Sequence, residues 1–160
     1  MNLYEHPTLY DLEYDTQTED VVYYVKRANQ VDGTVLELGC GNGRITLPIA
    51  RSGVQIIGLD NSETMLADFR HKLKGEPESI RSRITIIQSD YRNIPPCGPV
   101  PLVLLPFNAL HHCQSHRDVL QLFKSVREQL SPDGQFVLDC YLPDPVLYQR
   151  DPKGRYAEQT

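Results

Sequence analysis

The stretch Val35-Leu36-Glu37-Leu38-Gly39-Cys40-Gly41-Asn42-Gly43-Arg44 decides how the rest of this chain is read. Its apolar start reads as a short buried strand, its alternating glycines as a tight turn, and the residues after them as the start of a helix. Glycine lacks a Cβ and tolerates φ > 0, so such a turn lets the backbone approach a ligand closely. A second apolar run, Ile56-Ile57-Gly58-Leu59, ends in Asp60, 23 residues after Glu37. Glu37 and Asp60 therefore belong at the C-terminal ends of adjacent parallel strands, where open α/β sheets bind nucleotide-like ligands.

Outward from this centre, strands and helices alternate. Asp32-Gly33 turns into a strand over 34–38, and a helix over about 42–52 comes next, with Pro48 marking a kink or an irregular first turn and Gly53 its end. A strand over 54–59 precedes a helix opened by Ser62 and Glu63, with Met65, Leu66, Phe69 and Leu73 for packing. Further strands are expected over 84–87 and 100–105, the latter bracketed by Pro99, Pro101 and Pro106, which remove ladder donors. Val119, Leu122, Phe123, Val126 and Leu130 recur at helical spacing. Ser131-Pro132-Asp133-Gly134 then turns into a fifth strand over 135–140. Ahead of the sheet, Thr18 with Glu19-Asp20 caps a helix running to about Gln30, and residues 1–16 form a docking segment rich in Tyr, Asp and Glu. The pattern predicts right-handed βαβ units and a largely parallel sheet.

Composition narrows the function classes. The chain has 160 residues, enough for one domain with a real core, and 40% hydrophobic with 23% charged residues is ordinary for a globular protein. A net charge of −5 argues against a nucleic-acid backbone binder. No apolar run is long enough for a membrane span, and Met1 to Pro7 lack the basic and apolar regions of a signal peptide. Cys40, Cys97, Cys113 and Cys140 are scattered without a C-x-x-C pair, which reads as a reduced, cytoplasmic protein.

The acids and histidines suggest chemistry. The dinucleotide fingerprint needs its third glycine at position 44, which is Arg44, and a pyrophosphate would be repelled by Glu37; an ammonium or sulfonium would sit well there. Asp60 can accept from both hydroxyls of a ribose, or serve the helix that begins at Ser62. Asp90 can accept from an adenine amino group while Ile94 or Met65 covers the ring, or make an Asx turn before Arg92-Asn93. In His111-His112-Cys113-Gln114-Ser115-His116 the spacing is crowded and no second ligand pair lies elsewhere, so no metal site is expected. His111 or His112, on the loop after the fourth strand, can take a proton from a nucleophile near neutral pH, or simply face solvent.

With these residues in view, the chain resembles class I S-adenosylmethionine-dependent methyltransferases over nearly all of residues 1–143. The carrying pieces are the 37–43 turn, Asp60, Ser89-Asp90, Leu104-Leu105-Pro106-Phe107-Asn108-Ala109-Leu110-His111-His112, and the run from Leu130 to Asp139. More narrowly, Tyr4, Pro7, Tyr10 and Asp11 resemble a bacterial group whose N-terminal segment folds over the cofactor. The resemblance implies a Rossmann-like sheet of order 3-2-1-4-5 with an N-terminal helical lid. It implies S-adenosylmethionine bound by Tyr10, Tyr14, Glu37, Gly39, Cys40, Gly41, Gly43, Asp60, Asn61, Met65, Asp90, Tyr91, Phe107 and Asn108. Within that set, Glu37 and the glycine turn would line the methionine moiety, Asp60 the ribose, Asp90 and Tyr91 the adenine, and Phe107-Asn108 the edge beside the reacting methyl.

Two departures from the family pattern stand out. Val100-Pro101 occupy the place of a usual Phe-Asp-like pair. The family's sixth helix and antiparallel strand pair do not fit in the roughly 20 residues after Cys140 at about 1.5 and 3.3 Å per residue. The expected organisation is a lid and helix over 1–33, a cofactor-binding core over 34–141 and a Pro-rich tail over 142–160. The expected reaction is methylation of an O, N or C atom of a small acceptor, because Pro106-Phe107-Asn108-Ala109 lacks the Asn/Asp-Pro-Pro-aromatic order of adenine and glutamine methyltransferases. The alternatives are a non-catalytic or partner-dependent subunit and, further off, a nicotinamide-dependent oxidoreductase. A homodimer or a partner chain is expected through the edge of the fifth strand.

Overall fold

A computed structural model of the protein describes residues 3–141; the 142–160 tail lies outside the described residues. Five strands, β1 (Val35–Leu38), β2 (Ile56–Asp60), β3 (Ile84–Gln88), β4 (Val100–Leu105) and β5 (Leu130–Leu138), form one parallel sheet of order β3-β2-β1-β4-β5. The expected Rossmann-like order is thus present. The switch point falls between β1 and β4, since the chain runs from β1 through β2 to β3 before returning to β4 and β5 on the other side.

Helices cover both faces. α1 (Pro7–Tyr14) and α2 (Glu19–Ala28) precede the sheet, α3 (Thr46–Arg51) and α4 (Glu63–Leu73) follow β1 and β2, the one-turn α5 (Glu78–Arg81) leads into β3, and α6 (His116–Gln129) joins β4 to β5. Alternation along β1 sorts its side chains between the layers. Val35 packs with Tyr24 and Ala28 of α2 and Ile49 and Ala50 of α3. Leu36 and Leu38 pack on the opposite face with Leu122 and Val126 of α6.

Two elements depart most from the sequence reading. α3 begins at Thr46 and not near Asn42, because the turn runs on to Gly43 at φ 87°; Pro48 thereby falls in the first helical turn, where its missing N–H leaves no intrahelical bond unmade. β5 takes in Leu130 and the Ser131–Gly134 stretch as an irregularity between the Val100–Leu130 and Leu102–Gln135 pairs. Pro101 sits at that same irregularity, ahead of the β1–β4 ladder that starts at Leu102, so a central strand tolerates it.

Packing occupies two of the expected site residues. A Cβ on Gly43 would lie 2.3 to 2.8 Å from ring atoms of Phe69, so this glycine admits the α4 aromatic. Glu37 shares the Val35 face and is 1% exposed, with its Oε2 accepting from Thr46 Oγ1 at 2.5 Å. Desolvation by burial pushes its carboxyl from 4.5 up to about 7, opposed by the Thr46 hydrogen bond and by Arg44.

Gly43→Ala combines a ring clash with a left-handed φ and should cost about 2–4 kcal/mol, read as a lower urea midpoint. Glu37 holds its proton in the folded chain where the unfolded chain has released it, so its contribution is greatest below pH 4.5 and is lost as pH rises through 7. Urea unfolding of wild type against Glu37→Gln across that window should show the wild type losing about 3 kcal/mol relative to the variant. A parallel pair of pH curves would refute the buried-acid account.

Candidate functional site

A cavity of about 340 Å³ opens at the C-terminal ends of the central strands, beside the switch point. Its floor is the turn after β1. Gly39 and Cys40 donate their N–H groups to Leu59 O at 2.7 and 3.0 Å, which folds the turn back onto β2. Asp60 fixes the far side: its Oδ2 accepts from Gly41 N and its Oδ1 from Ser62 N, both at 2.8 Å. Ser62 in turn caps α4, accepting from Met65 N at 3.3 Å. A valine at Gly41 would be strained at φ 54°, and its Cβ would meet the Met65 methyl at 3.3 Å.

The walls are aromatic. Tyr10 of α1 is 8% exposed, and its ring contacts those of Tyr4, Tyr14 and Phe107 at centroid distances of 6.1, 4.8 and 6.4 Å. Burial pushes the Tyr10 phenol up to about 12 against the opposing pull of Arg44, so it stays neutral. Tyr4 places its hydroxyl 3.1 Å from His112 Nε2. Tyr91 donates to Ala109 O at 3.2 Å, and burial raises its phenol also.

The N-terminal segment is bolted to the glycine turn at two points. Asn42, buried beneath it, donates to Asp11 Oδ1 at 2.7 Å and to Asp68 Oδ2 at 3.2 Å, while Lys72 pairs with Asp11 at 2.7 Å. Arg44 makes a two-pronged pair with Asp20 at 3.0 and 2.5 Å, donates to Gln17 O at 3.0 Å and lies 4.5 Å over the Phe107 ring. This docking accounts for the Arg in place of a third fingerprint glycine.

Of the residues expected from the sequence, Tyr10, Gly39, Gly41, Asp60, Asn61, Met65, Tyr91, Phe107 and His112 line the cavity. Tyr14 stands behind, edge-on to Phe107 at 4.7 Å. Glu37, Cys40 and Gly43 are taken up by the core under the turn; Cys40 is 4% exposed and packs with Leu47, Leu66 and Phe69. Asp90 is held by Arg92 two residues on, which donates to both its carboxylate oxygens and keeps its carboxyl below the usual range. It also accepts from Arg92 N at 2.8 Å, the Asx-turn alternative. Asn108 accepts from Tyr141 N and His111 is exposed, and neither lines the cavity. Ile94 belongs to the core on the α6 face.

The sequence reading missed Tyr4, Glu5, Ser62, Pro106 and Ala109, which also line the cavity. Tyr4 was available in the Tyr-x-x-Pro pattern, and Pro106 and Ala109 lie inside the 104–112 segment already singled out. A second cavity of about 520 Å³ lies across Phe107, bordered by residues 16–20 and Asp139. Among the described residues no three His, Cys, Asp or Glu side chains are gathered to hold a metal ion, and no helix is long and apolar enough to cross a membrane.

Comparison with known proteins agrees with this geometry. A family model described as a methyltransferase domain matches residues 35–134. The chain is 32% identical to the putative methyltransferase YqeM of Bacillus subtilis, over 80% of this chain and 53% of that protein. It is 30% identical to the trans-aconitate 2-methyltransferase of Acidovorax ebreus, over 86% of this chain and 49% of that protein. The crystal structure of the glycopeptide N-methyltransferase MtfA complexed with S-adenosyl-L-methionine superposes with a TM-score of 0.70 at 32% identity, covering 76% of this chain and 53% of that one. The chain spans about half the length of the curated relatives it matches. The matched span runs from β1 into β5 and takes in most of the residues that build the cavity, and on that ground the chain belongs to the methyltransferase domain family.

Proposed function

We propose that this chain binds S-adenosylmethionine in the switch-point cavity and takes part in transfer of its methyl group to a small-molecule acceptor through an O, N or C nucleophile. The observation that carries this is Asp60 lining the cavity at the end of β2, directly beside the backbone of Gly39 and Gly41. The lining fits such a ligand. Asp60 and Ser62 suit sugar hydroxyls, Met65 and Tyr91 a flat base, and the rings of Tyr4, Tyr10 and Phe107 offer faces to a sulfonium.

The donor supplies an already activated methyl and a neutral thioether leaving group. What remains for the protein is to align, to exclude water and to accept a proton when the nucleophile arrives protonated. α1 does the second of these, with Tyr10 closing the cavity from above. His112 suits the third better than His111, because it lines the cavity and its Nε2 is oriented by Tyr4. The second cavity, across Phe107, suits the acceptor; Glu19 on its border favours an acceptor carrying a basic nitrogen.

The edge of β5 supports a further reading. Among the described residues β5 pairs with β4 alone, leaving one row of N–H and C=O groups open to another strand, from a second copy of this chain or from a partner.

Asp60→Ala should weaken S-adenosylhomocysteine binding by about 1.5–3 kcal/mol in calorimetric titration, with the melting temperature followed in parallel. Unchanged affinity would remove Asp60 from the site. For the edge, native mass spectrometry should find a dimer or a bound partner, with slow amide exchange over 135–138. A monodisperse monomer exchanging fast there would sink that reading.

A further inference from the structure

Phe107 and Asn108 are consecutive non-glycine residues with φ of 57° and 59°. Residues carrying a Cβ disfavour this left-handed backbone, so two in succession persist only where their surroundings over-determine them. The holder is Asp139, one residue beyond β5. Its Oδ2 accepts from Phe107 N at 2.8 Å and its Oδ1 from Asn108 N at 2.7 Å. A third hydrogen bond comes from the hydroxyl of Tyr24, a fully buried α2 residue, at 2.7 Å to Oδ2. Successive N–H groups turned onto one anion make a nest; here the anion is a side chain of the fold itself. The segment so held carries the Phe107 ring, which borders both cavities and rests against Arg44 and Tyr14.

We infer that Asp139 is a positioning residue for methyl transfer. It fixes the backbone of Phe107 and Asn108 so that the Phe107 ring stands as the wall between the donor cavity and its neighbour, and donor and acceptor meet in one geometry. This rests on the methyltransferase reading above. Its place in that reading comes from the chemistry: an in-line displacement gains most from alignment, and a wall displaced by about 1 Å degrades it. Asp139 acts through the backbone it holds. Tyr24 links the same carboxylate to α2, so the packing of α2 on the sheet and the stance of the Phe107 ring are set together.

The test uses the full chain and S-adenosylhomocysteine as probe, with calorimetric titration, thermal unfolding and amide NMR signals of Phe107 and Asn108. Asp139→Asn should lower affinity about tenfold, because one acceptor oxygen and the charge are lost, and should move both amide signals upfield. Adding Asn108→Gly in that background should restore affinity to within about threefold of wild type, since glycine takes φ near 59° without a carboxylate to hold it. If Asp139→Asn alone does not fold, a folded double variant with restored affinity supports the role and an unfolded one overturns it. Wild-type affinity in folded Asp139→Asn, or a loss the glycine does not repair, overturns the positioning role alone. A wild-type chain that binds no S-adenosylhomocysteine overturns the donor reading, and this role with it.

Discussion

Everything at the site depends on one carboxylate spanning two backbone donors. Asp60 accepts from Gly41 N with one oxygen and from Ser62 N with the other. The first bond holds the turn that leaves β1; the second sets the start of α4. Because β1 and β2 are neighbours in register, Leu38 opposite Leu59, the acid ending β2 is delivered to the turn beside it with no further device. The turn so held then dictates its surroundings. Gly43 must be bare for Phe69 to pack, and Arg44 emerges on the side facing the N-terminal segment.

That segment closes the cavity by a division of labour. Its ion pairs are partly exposed, Lys72 and Asp11 at 30% and 37%, and such pairs contribute little to stability. Arg44–Asp20 is better sheltered, two-pronged and stacked on Phe107, a geometry a lysine could not reproduce. The buried area comes instead from Tyr10, packed among Tyr4, Tyr14 and Phe107. The polar contacts give α1 its register over the turn; the aromatic cluster gives it a reason to stay.

The sheet order and the glycine turn were legible because both are local. Apolar runs bounded by turn residues give strands, and glycines interrupting them give the crevice. What the sequence hid was facing. Nothing in Val35-Leu36-Glu37-Leu38 says which side of β1 meets α6, and with that choice made Glu37 goes under α3 to Thr46 and not into the cavity. Asp90 does not line the cavity for a local reason, since Arg92 two residues on donates to both its oxygens. Tyr4 was hidden in the opposite sense: its place over the cavity comes from the docking of a segment whose own sequence carries no strand or long helix to announce it.

Asp60 and Asp139 are the same device used twice. Each follows or ends a strand at the C-terminal edge of the sheet, and each spends oxygens on main-chain N–H groups at positive φ, Gly41 for Asp60 and Phe107 with Asn108 for Asp139. The difference lies in what is left over. A carboxylate offers about four lone-pair sites. Asp60 has given two to the backbone and lines the cavity with the remainder, so it can hold its turn and still accept from a ligand hydroxyl. Asp139 has given three, the third to the buried Tyr24 hydroxyl, and stands behind the ring that faces the site. Oxygens left open to the cavity make a strand-end acid a binding group; oxygens committed to the backbone and a buried hydroxyl make it a scaffold for one.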